Sequence, residues 1–340
     1  VSRRPTIRDV ARVAGVATVT VSRVANDPAL VSPTTRARVE QAMRDLGYVA
    51  NAAARSMRTR LSRSIGCLVP DLVNYPNAAI AQAAERHLAA AGYSLLLTSS
   101  DYDPAAEIRA LEALRTRQVD GLLLYVSDET DPALNRALAR LDMPLLVLDR
   151  TLAVDADVLL SAHEPALQEA VRHLAGLGHR RLAIMLSGLR VRPVVERRRA
   201  FLAAAAEAGL DALAQRVVEV PPEDHHRLRA AQDLLAGPAA PTAVLVEGSR
   251  QVRAVLAAAR GLGRSIPQEL SLIALDASDI ATVTTPELTT VTRDYERIGR
   301  VAAGLLLERL AAPGAPWRRV ELESRVELRG SCGPVRGDWC

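Results

Sequence analysis

Apolar positions recur at helical spacing three times within the first fifty residues, and each run is bounded by residues that start or stop a helix. Ile7, Val10, Ala11 and Ala14 make one stripe, with Thr6 and Asp9 spaced as a capping pair and Gly15 as the break. Ala17, Val21, Val24 and Ala25 make a second stripe directly after the turn. At 100° per residue, Thr18, Val19, Ser22, Arg23 and Asn26 then fall within an arc of about 140° on the opposite side. A third helix is announced by Ser32 as cap and Pro33 at the first helical position; Val39, Ala42, Met43 and Leu46 form its stripe and Gly47 its end. The first two helices and their tight turn read as a helix–turn–helix. Its outer face carries hydroxyls, an amide, a guanidinium and an isopropyl group, which suit base edges and phosphates in a major groove.

After residue 63 the pattern changes to short, continuous apolar runs separated by helical stretches rich in Ala, Leu and Arg. Strands are expected at 65–69, 94–97, 122–126, 145–148, 182–186, 217–220, 243–246 and 272–275. Runs apolar on both faces, alternating with helices, imply parallel sheet covered on both sides. The predicted fold class is therefore α/β: an all-α N-terminal head followed by a body of doubly wound parallel sheets. The segments ending in Gly92, Gly178 and Gly263 precede strands, so they read as helix ends and not as dinucleotide-binding loops, which follow a strand.

Between head and body, Asn51 is placed to cap a short Ala- and Arg-rich stretch. Seven or eight residues make a marginal helix, since ~12–15 are needed in water. It would form against a dimer mate and a DNA groove, with Met57 as an apolar wedge and the arginines on phosphates. A plain flexible linker is the other reading.

Charge sharpens this division. Net charge is +4, yet residues 1–63 hold twelve arginines against four acids, leaving the remainder at −4. A basic head on an acidic body is the footprint of a nucleic-acid module joined to something else. All 43 basic residues are Arg, which is assigned to genome composition. Cys67, Cys332 and Cys340 have no metal-ligand spacing, and no run approaches the ~18 apolar residues of a membrane span or forms a signal-peptide core. A cytoplasmic location is expected. No nucleophile elbow, P-loop or zinc pattern occurs, and the adjacent His225 and His226 point about 100° apart. Neither enzymatic activity nor a metal or cofactor is expected.

Head, linker and body together resemble the lactose-repressor (LacI-type) family of bacterial transcription regulators. The matching motifs run from Thr6-Ile-Arg-Asp-Val-Ala and Thr20-Val-Ser-Arg23 through Leu46-Gly-Tyr48 and Asn51-x-x-Ala54-Arg-Ser-Met57. They continue with Val119-Asp-Gly121, Leu148-Asp149-Arg150, Gly178-His-Arg-Arg, Leu288-Thr-Thr-Val291 and Arg329-Gly-Ser331. The resemblance implies a homodimer on a pseudo-palindromic double-stranded operator, with paired hinge helices in its minor groove. It implies a body like the periplasmic sugar-binding proteins, with two subdomains joined by three crossovers near residues 160, 290 and 322. The implied divisions are 1–50 (head), 51–62 (hinge) and 63–331 (body), with a tail at 332–340. Within the body, 63–160 and 291–322 form one subdomain, and 161–290 and 323–331 the other.

Carried over by position, Thr18, Val19 and Arg23 would read bases. Thr20, Ser22, Asn26, Ser32, Thr35 and Asn51 would hold phosphates, and Ala54 and Met57 would face the minor groove. Two departures stand out. Ala17 occupies the place of a capping Ser, a loss of about 1 kcal/mol unless Thr18 takes over. Met57 replaces the usual Leu with a more flexible side chain. In the body, Arg197 and Asp276 match the family's ligand-holding pair, Asn74 and Tyr75 its lining segment, and Ser249 stands where a polar anchor is usual. Ser161-Ala162 and the stretch from Val220 lack the usual polar and aromatic groups. With Arg190 and Arg192 on the loop after a strand, the balance of guanidinium over carboxylate favours an anionic effector such as a sugar acid. Solvent-facing arginines are the other reading of that loop. The expected function is an effector-controlled transcriptional regulator, most simply a repressor. A regulator of the same fold acting through a protein partner, and a solute-binding protein, are the alternatives.

Overall fold

Three helices build the first unit of the computed structural model, which describes residues 5–26, 28–48, 61–221 and 226–335. They are α1 (Ile7–Ala14), α2 (Thr18–Asn26) and α3 (Pro33–Leu46). Asp9 accepts the Thr6 amide at 2.9 Å and the Thr6 hydroxyl at 2.7 Å, which fixes the start of α1. Gly15 ends it at φ 60°. Val10, Ala14, Val21, Val24, Val39 and Ala42 close a small core. Ala17 is the exception to the expected inward stripe. It is exposed, and its carbonyl accepts the Thr20 and Val21 amides, so it remains the cap of α2 and Thr18 is the first helical residue. Asn51, Ala54 and Met57 lie outside the described residues. The chain divides into Val1–Ser62 and Arg63–Cys340, each described by itself.

The second unit alternates strands and helices. In chain order these are β1 (Ser64–Val69), α4 (Tyr75–Ala90), β2 (Ser94–Ser99), α5 (Pro104–Thr116), β3 (Gly121–Leu124), α6 (Pro132–Leu138), β4 (Leu145–Leu148) and β5 (Asp157–Ala162). Then follow α7 (Glu164–Gly176), β6 (Leu182–Ser187), α8 (Arg192–Glu207), β7 (Arg216–Val220), α9 (Arg227–Leu235), β8 (Ala243–Glu247) and α10 (Gly248–Gly261). The unit finishes with β9 (Ser271–Leu275), α11 (Ser278–Ala281), β10 (Thr289–Arg293), α12 (Tyr295–Ala311) and β11 (Arg319–Glu327). The strand order is β2-β1-β3-β4-β5-β11-β10-β9-β8-β6-β7, parallel throughout except between β10 and β11. Period-two alternation sends successive side chains to opposite faces. Leu123 packs toward α4 and α12, while Leu122 and Leu124 pack toward α5 and α6. Beyond β11 the same two-sided cover is made by α7 and α8 on one face and α9 and α10 on the other. Strands β1–β5 with α12 form a first half, and β6–β10 a second.

All eight apolar runs are strands. The three strands not expected from apolar runs are β5, β10 and β11, and each carries polar residues for a reason. They are the passages between halves, where Asp157, Thr289–Arg293 and the alternating Arg319–Glu327 meet side chains and the cleft as well as core. Gly92, Gly178 and Gly263 follow helix ends in the left-handed region, as their position before strands required. His226 stands at the N-cap position of α9 without a side-chain capping bond, and His225 lies outside the described residues. Among the described residues, no helix is long and apolar enough to cross a membrane.

Helix α12 crosses α4 in close contact at Gly299: a Cβ there would overlap the Ile80 carbonyl oxygen and the Ala83 methyl group. Gly299→Ala is therefore expected to lower the urea midpoint of the full chain by the equivalent of about 1–3 kcal/mol, an overpacking cost against backbone that has little room to yield. The neighbouring Gly304, whose Cβ would meet only the His87 ring at 3.9 Å, is the control that should tolerate alanine.

Candidate functional site

On the head, α2 turns Thr18, Val19 and Arg23 outward together. All three are exposed, with Val19 at 55 %. Thr20 and Ser22 are half-buried on its flanks. Ser32 and Thr35 engage each other at the start of α3: the Ser32 hydroxyl donates to Thr35 Oγ1 at 2.9 Å and accepts the Thr35 amide at 3.4 Å. The backbone of Asn26 closes α2. The spacing thus gathers the three base-reading candidates on one face, and the hydroxyl pair serves the cap as well as the surface.

In the body, a cavity of about 150 Å³ lies at the carboxyl ends of the strands, where ligands of parallel sheets bind. Each strand delivers its group by ending there: Asp71 after β1, Tyr125 after β3, Asp149 after β4, Glu247 at the end of β8, Asp276 after β9 and Arg293 at the end of β10. Asp149 and Asp276 occupy equivalent places in the two halves. Both have φ 53°, a conformation that aspartate tolerates better than most residues. Their amides still bond the neighbouring strand, to Leu159 O at 2.8 Å and Val291 O at 2.9 Å.

A chain of buried charges connects these strand ends. Arg197, from α8, meets Glu247 at 2.5 Å with one nitrogen and Asp276 with another. Arg293 bonds Asp276 Oδ1 through Nε at 3.0 Å and Asp149 Oδ2 through Nη1 at 2.5 Å. Tyr295 donates its hydroxyl to Asp276 at 3.1 Å. Ser161 gives Asp149 both its amide, at 2.8 Å, and its hydroxyl, at 3.1 Å. Burial alone would raise Asp276, but Arg293 and Arg197 outweigh it and hold the carboxyl at about 2. Burial likewise opposes ionisation of Asp149, yet the nearby His163 ring, 3.7 Å away, and the Arg293 charge hold it well below the usual carboxylate range. His163 itself is pushed down by burial, and Arg197 adds to the effect.

Five of the six expected effector residues line this cavity directly or at its rim. Arg197 and Asp276 form its charged wall. Asn74 begins α4 with its Oδ1 buried and without a hydrogen-bond partner, and Tyr75 stands edge-on to Tyr295 at 5.7 Å. Ser249 is also at the cavity, although its hydroxyl is committed to Asp279. Arg190 is not part of it. Its side chain is 72 % exposed and pairs with Asp128 outside the cavity, because the loop turns it away from the strand ends. Arg192 faces neither solvent nor ligand; it is buried against Asp149 at 3.2 Å and Glu196 at 2.8 Å. Asp71, Asp149, Glu247 and Asp276 line the cavity beside five arginines, Arg150, Arg197, Arg227, Arg250 and Arg293, so the two signs nearly balance there. Arg250 meets Asp71 at 3.1 Å, and Arg150 is bonded to the carbonyls of Val126 and Asp149 at 2.6 and 2.9 Å. Arg227, the fifth lining arginine, is not free either.

Sequence reasoning missed Asp71, Tyr102, Tyr125, Asp149 and Arg293 as cavity residues. Tyr102 reaches in from beyond β2, where its hydroxyl donates to Asp71 at 3.2 Å. It supplies part of the aromatic wall that the stretch from Val220 lacks. The one available signal was the repeated Leu-Asp ending of β4 and β9, which places an acid at the same point of each half.

Residues 6–51 match the family of bacterial regulatory proteins described as the lacI family, and residues 171–332 match a periplasmic binding protein-like domain. Across 96% of its length the chain is 30% identical to the ribose operon repressor of Escherichia coli, of which it covers 99%. It is 29% identical to the HTH-type transcriptional repressor PurR of Photobacterium profundum, over 96% of this chain and 98% of that one. In fold it is similar to the lac repressor dimer bound to operator and the anti-inducer ONPF. The TM-score is 0.84 at 24% identity, over 97% of this chain and 99% of that chain.

The depressed Asp276 carboxyl gives a signed prediction. Its stabilising effect is complete above the ordinary carboxylate value of 3.8 and is lost as pH falls through about 2. Urea unfolding between pH 5 and 2 should show stability falling by about 2 kcal/mol from this group alone. Asp276→Asn should start less stable at neutral pH and lose less over the same window.

Proposed function

Because the chain belongs to the lacI family of bacterial regulatory proteins, we propose that it represses transcription as a homodimer on operator DNA, under the control of a small molecule held in the Asp276 cavity. Thr18, Val19 and Arg23 read the major groove in this reading, and Thr20, Ser22, Asn26, Ser32, Thr35 and Asn51 hold phosphates. Ala54 and Met57 enter the minor groove. A single three-helix head spans only one half-site, and two heads related by a twofold axis read a pseudo-palindrome. The body has its own compact core, so a change in its cleft reaches the operator through the residues that connect the two units.

One observation carries the ligand chemistry. Two polar atoms of residues that line the cavity, Asn74 Oδ1 and Arg197 Nε, are buried without partners. The first needs a donor and the second an acceptor. A ligand hydroxyl is both. A simple anion suits Arg197 Nε but has nothing to donate to Asn74 Oδ1, and it meets four lining carboxylates, while each of the five lining guanidinium groups already has a partner. The geometry therefore favours a neutral, hydroxyl-bearing effector of small size over the sugar acid that the sequence pointed to.

Two measurements test this reading. Isothermal titration of the full chain with neutral aldoses, polyols and the corresponding sugar acids should give saturable heat with a neutral compound. An acid binding tenfold tighter than every neutral partner would overturn the ligand chemistry, and no heat from any compound would favour control by a protein partner. On an operator recovered by selection from random DNA, Arg23→Ala should weaken binding by about 1–3 kcal/mol and relax the preference at one base pair of each half-site. An unchanged footprint and affinity would remove Arg23 from the reading face.

A further inference from the structure

The two halves of the body touch across the cleft through polar contacts that need no ligand. The Arg192 amide donates to Glu129 Oε1 at 2.7 Å, and the Glu129 amide donates to the Arg190 carbonyl at 3.1 Å. Arg192 also reaches Asp149 Oδ1 and the Ser161 carbonyl, both at 3.2 Å. On the opposite rim Arg250 meets Asp71 at 3.1 Å. Asp149 is the common member. It receives Arg192 from the second half on one oxygen and Arg293 on the other, and Arg293 in turn holds Asp276.

We propose that Arg293 is the positioning residue for closure of this cleft. A single guanidinium orients Asp149 to receive Arg192, so the halves hold each other shut before any ligand arrives. The physical reason is the cost of stray charge. Asp149 and Asp276 are each over nine-tenths buried, and a buried carboxylate without a cation is strongly unfavourable. Arg293 is shared by both, alongside Arg192 on Asp149 and Arg197 on Asp276, since its planar fork presents Nε and Nη1 to different acceptors; the ammonium of lysine is a single point. A ligand that bonds Asp276 then competes for the guanidinium that keeps Asp149 in place, so occupancy of the cavity and the grip of the rim draw on one group. That consequence rests on the cavity being the effector site. The closure itself does not, and is measured on the ligand-free chain.

The measurement is amide hydrogen exchange on the full chain, followed at the cross-cleft amides of Glu129 and Arg192 and at the sheet amides of Leu123 and Ile184. In the wild-type chain both cross-cleft amides should be protected. In Arg293→Gln their exchange should accelerate by about tenfold or more, as expected from losing a charge-assisted hydrogen bond, while the sheet amides keep their rates. Arg293→Lys retains a buried positive charge, which protects folding, and should show the same rim-limited acceleration; it carries the test if the glutamine variant does not fold. Rim exchange at the wild-type rate in either folded variant overturns the proposal. Equal acceleration of Leu123 and Ile184 also overturns it, because a merely structural role loosens the sheets and the rim alike.

Discussion

The guanidinium of Arg293 between Asp149 and Asp276 is the contact on which the rest of the cleft depends. Two parallel half-sheets, each ending a strand in aspartate, would otherwise bring like charges together where both carboxylates are largely buried. One cation on the connecting strand β10 turns that repulsion into a joint. The other contacts follow from it. Arg197 has a fixed acid to lean on, Ser161 a fixed carboxylate to bond, and Tyr295 a fixed acceptor for its hydroxyl. The cavity wall is therefore made of charges that are already spent on one another, and what it offers a ligand is hydrogen bonding at the few atoms left over.

The parts that were legible in the sequence are those determined by neighbours along the chain. The Thr6–Asp9 cap, the Gly15 break and the Ser32-Pro33 start are local devices, and spacing alone locates them. Six of the eight apolar strands are legible because a strand covered on both faces has no choice of residue type, and β2 and β7, more exposed at the ends of the strand order, follow the same apolar pattern. Arg197 and Asp276 were legible through resemblance. Ala17 was misplaced because helical periodicity treats every small apolar residue as inward, whereas a cap position answers to the backbone.

The remainder was illegible for one physical reason: ion pairing is decided in three dimensions. Composition counted arginines, but nothing along the chain says that Arg192 meets Asp149, or that Arg190, two residues earlier, meets Asp128. Reading the loop arginines as ligand groups therefore failed, since neither lines the cavity; the solvent-facing reading holds for Arg190 and fails for Arg192. The polar strands β5, β10 and β11 were hidden in the same way. Their side chains serve the junction between halves, so their pattern does not follow the rule for a buried strand.

Strand β11 has a consequence of its own. Its residues from Arg319 to Glu323 run beside β5, and those from Ser324 to Glu327 run antiparallel to β10, so one continuous backbone belongs to both half-sheets. Together with the two other passages it ties the halves along a line, and bodies tied along a line keep a single easy degree of freedom, rotation about it. Translation and shear would tear the ladders apart. Whatever chemistry the cleft meets, the second unit can report it only as an angle, a scalar with one sign for opening and the other for closing.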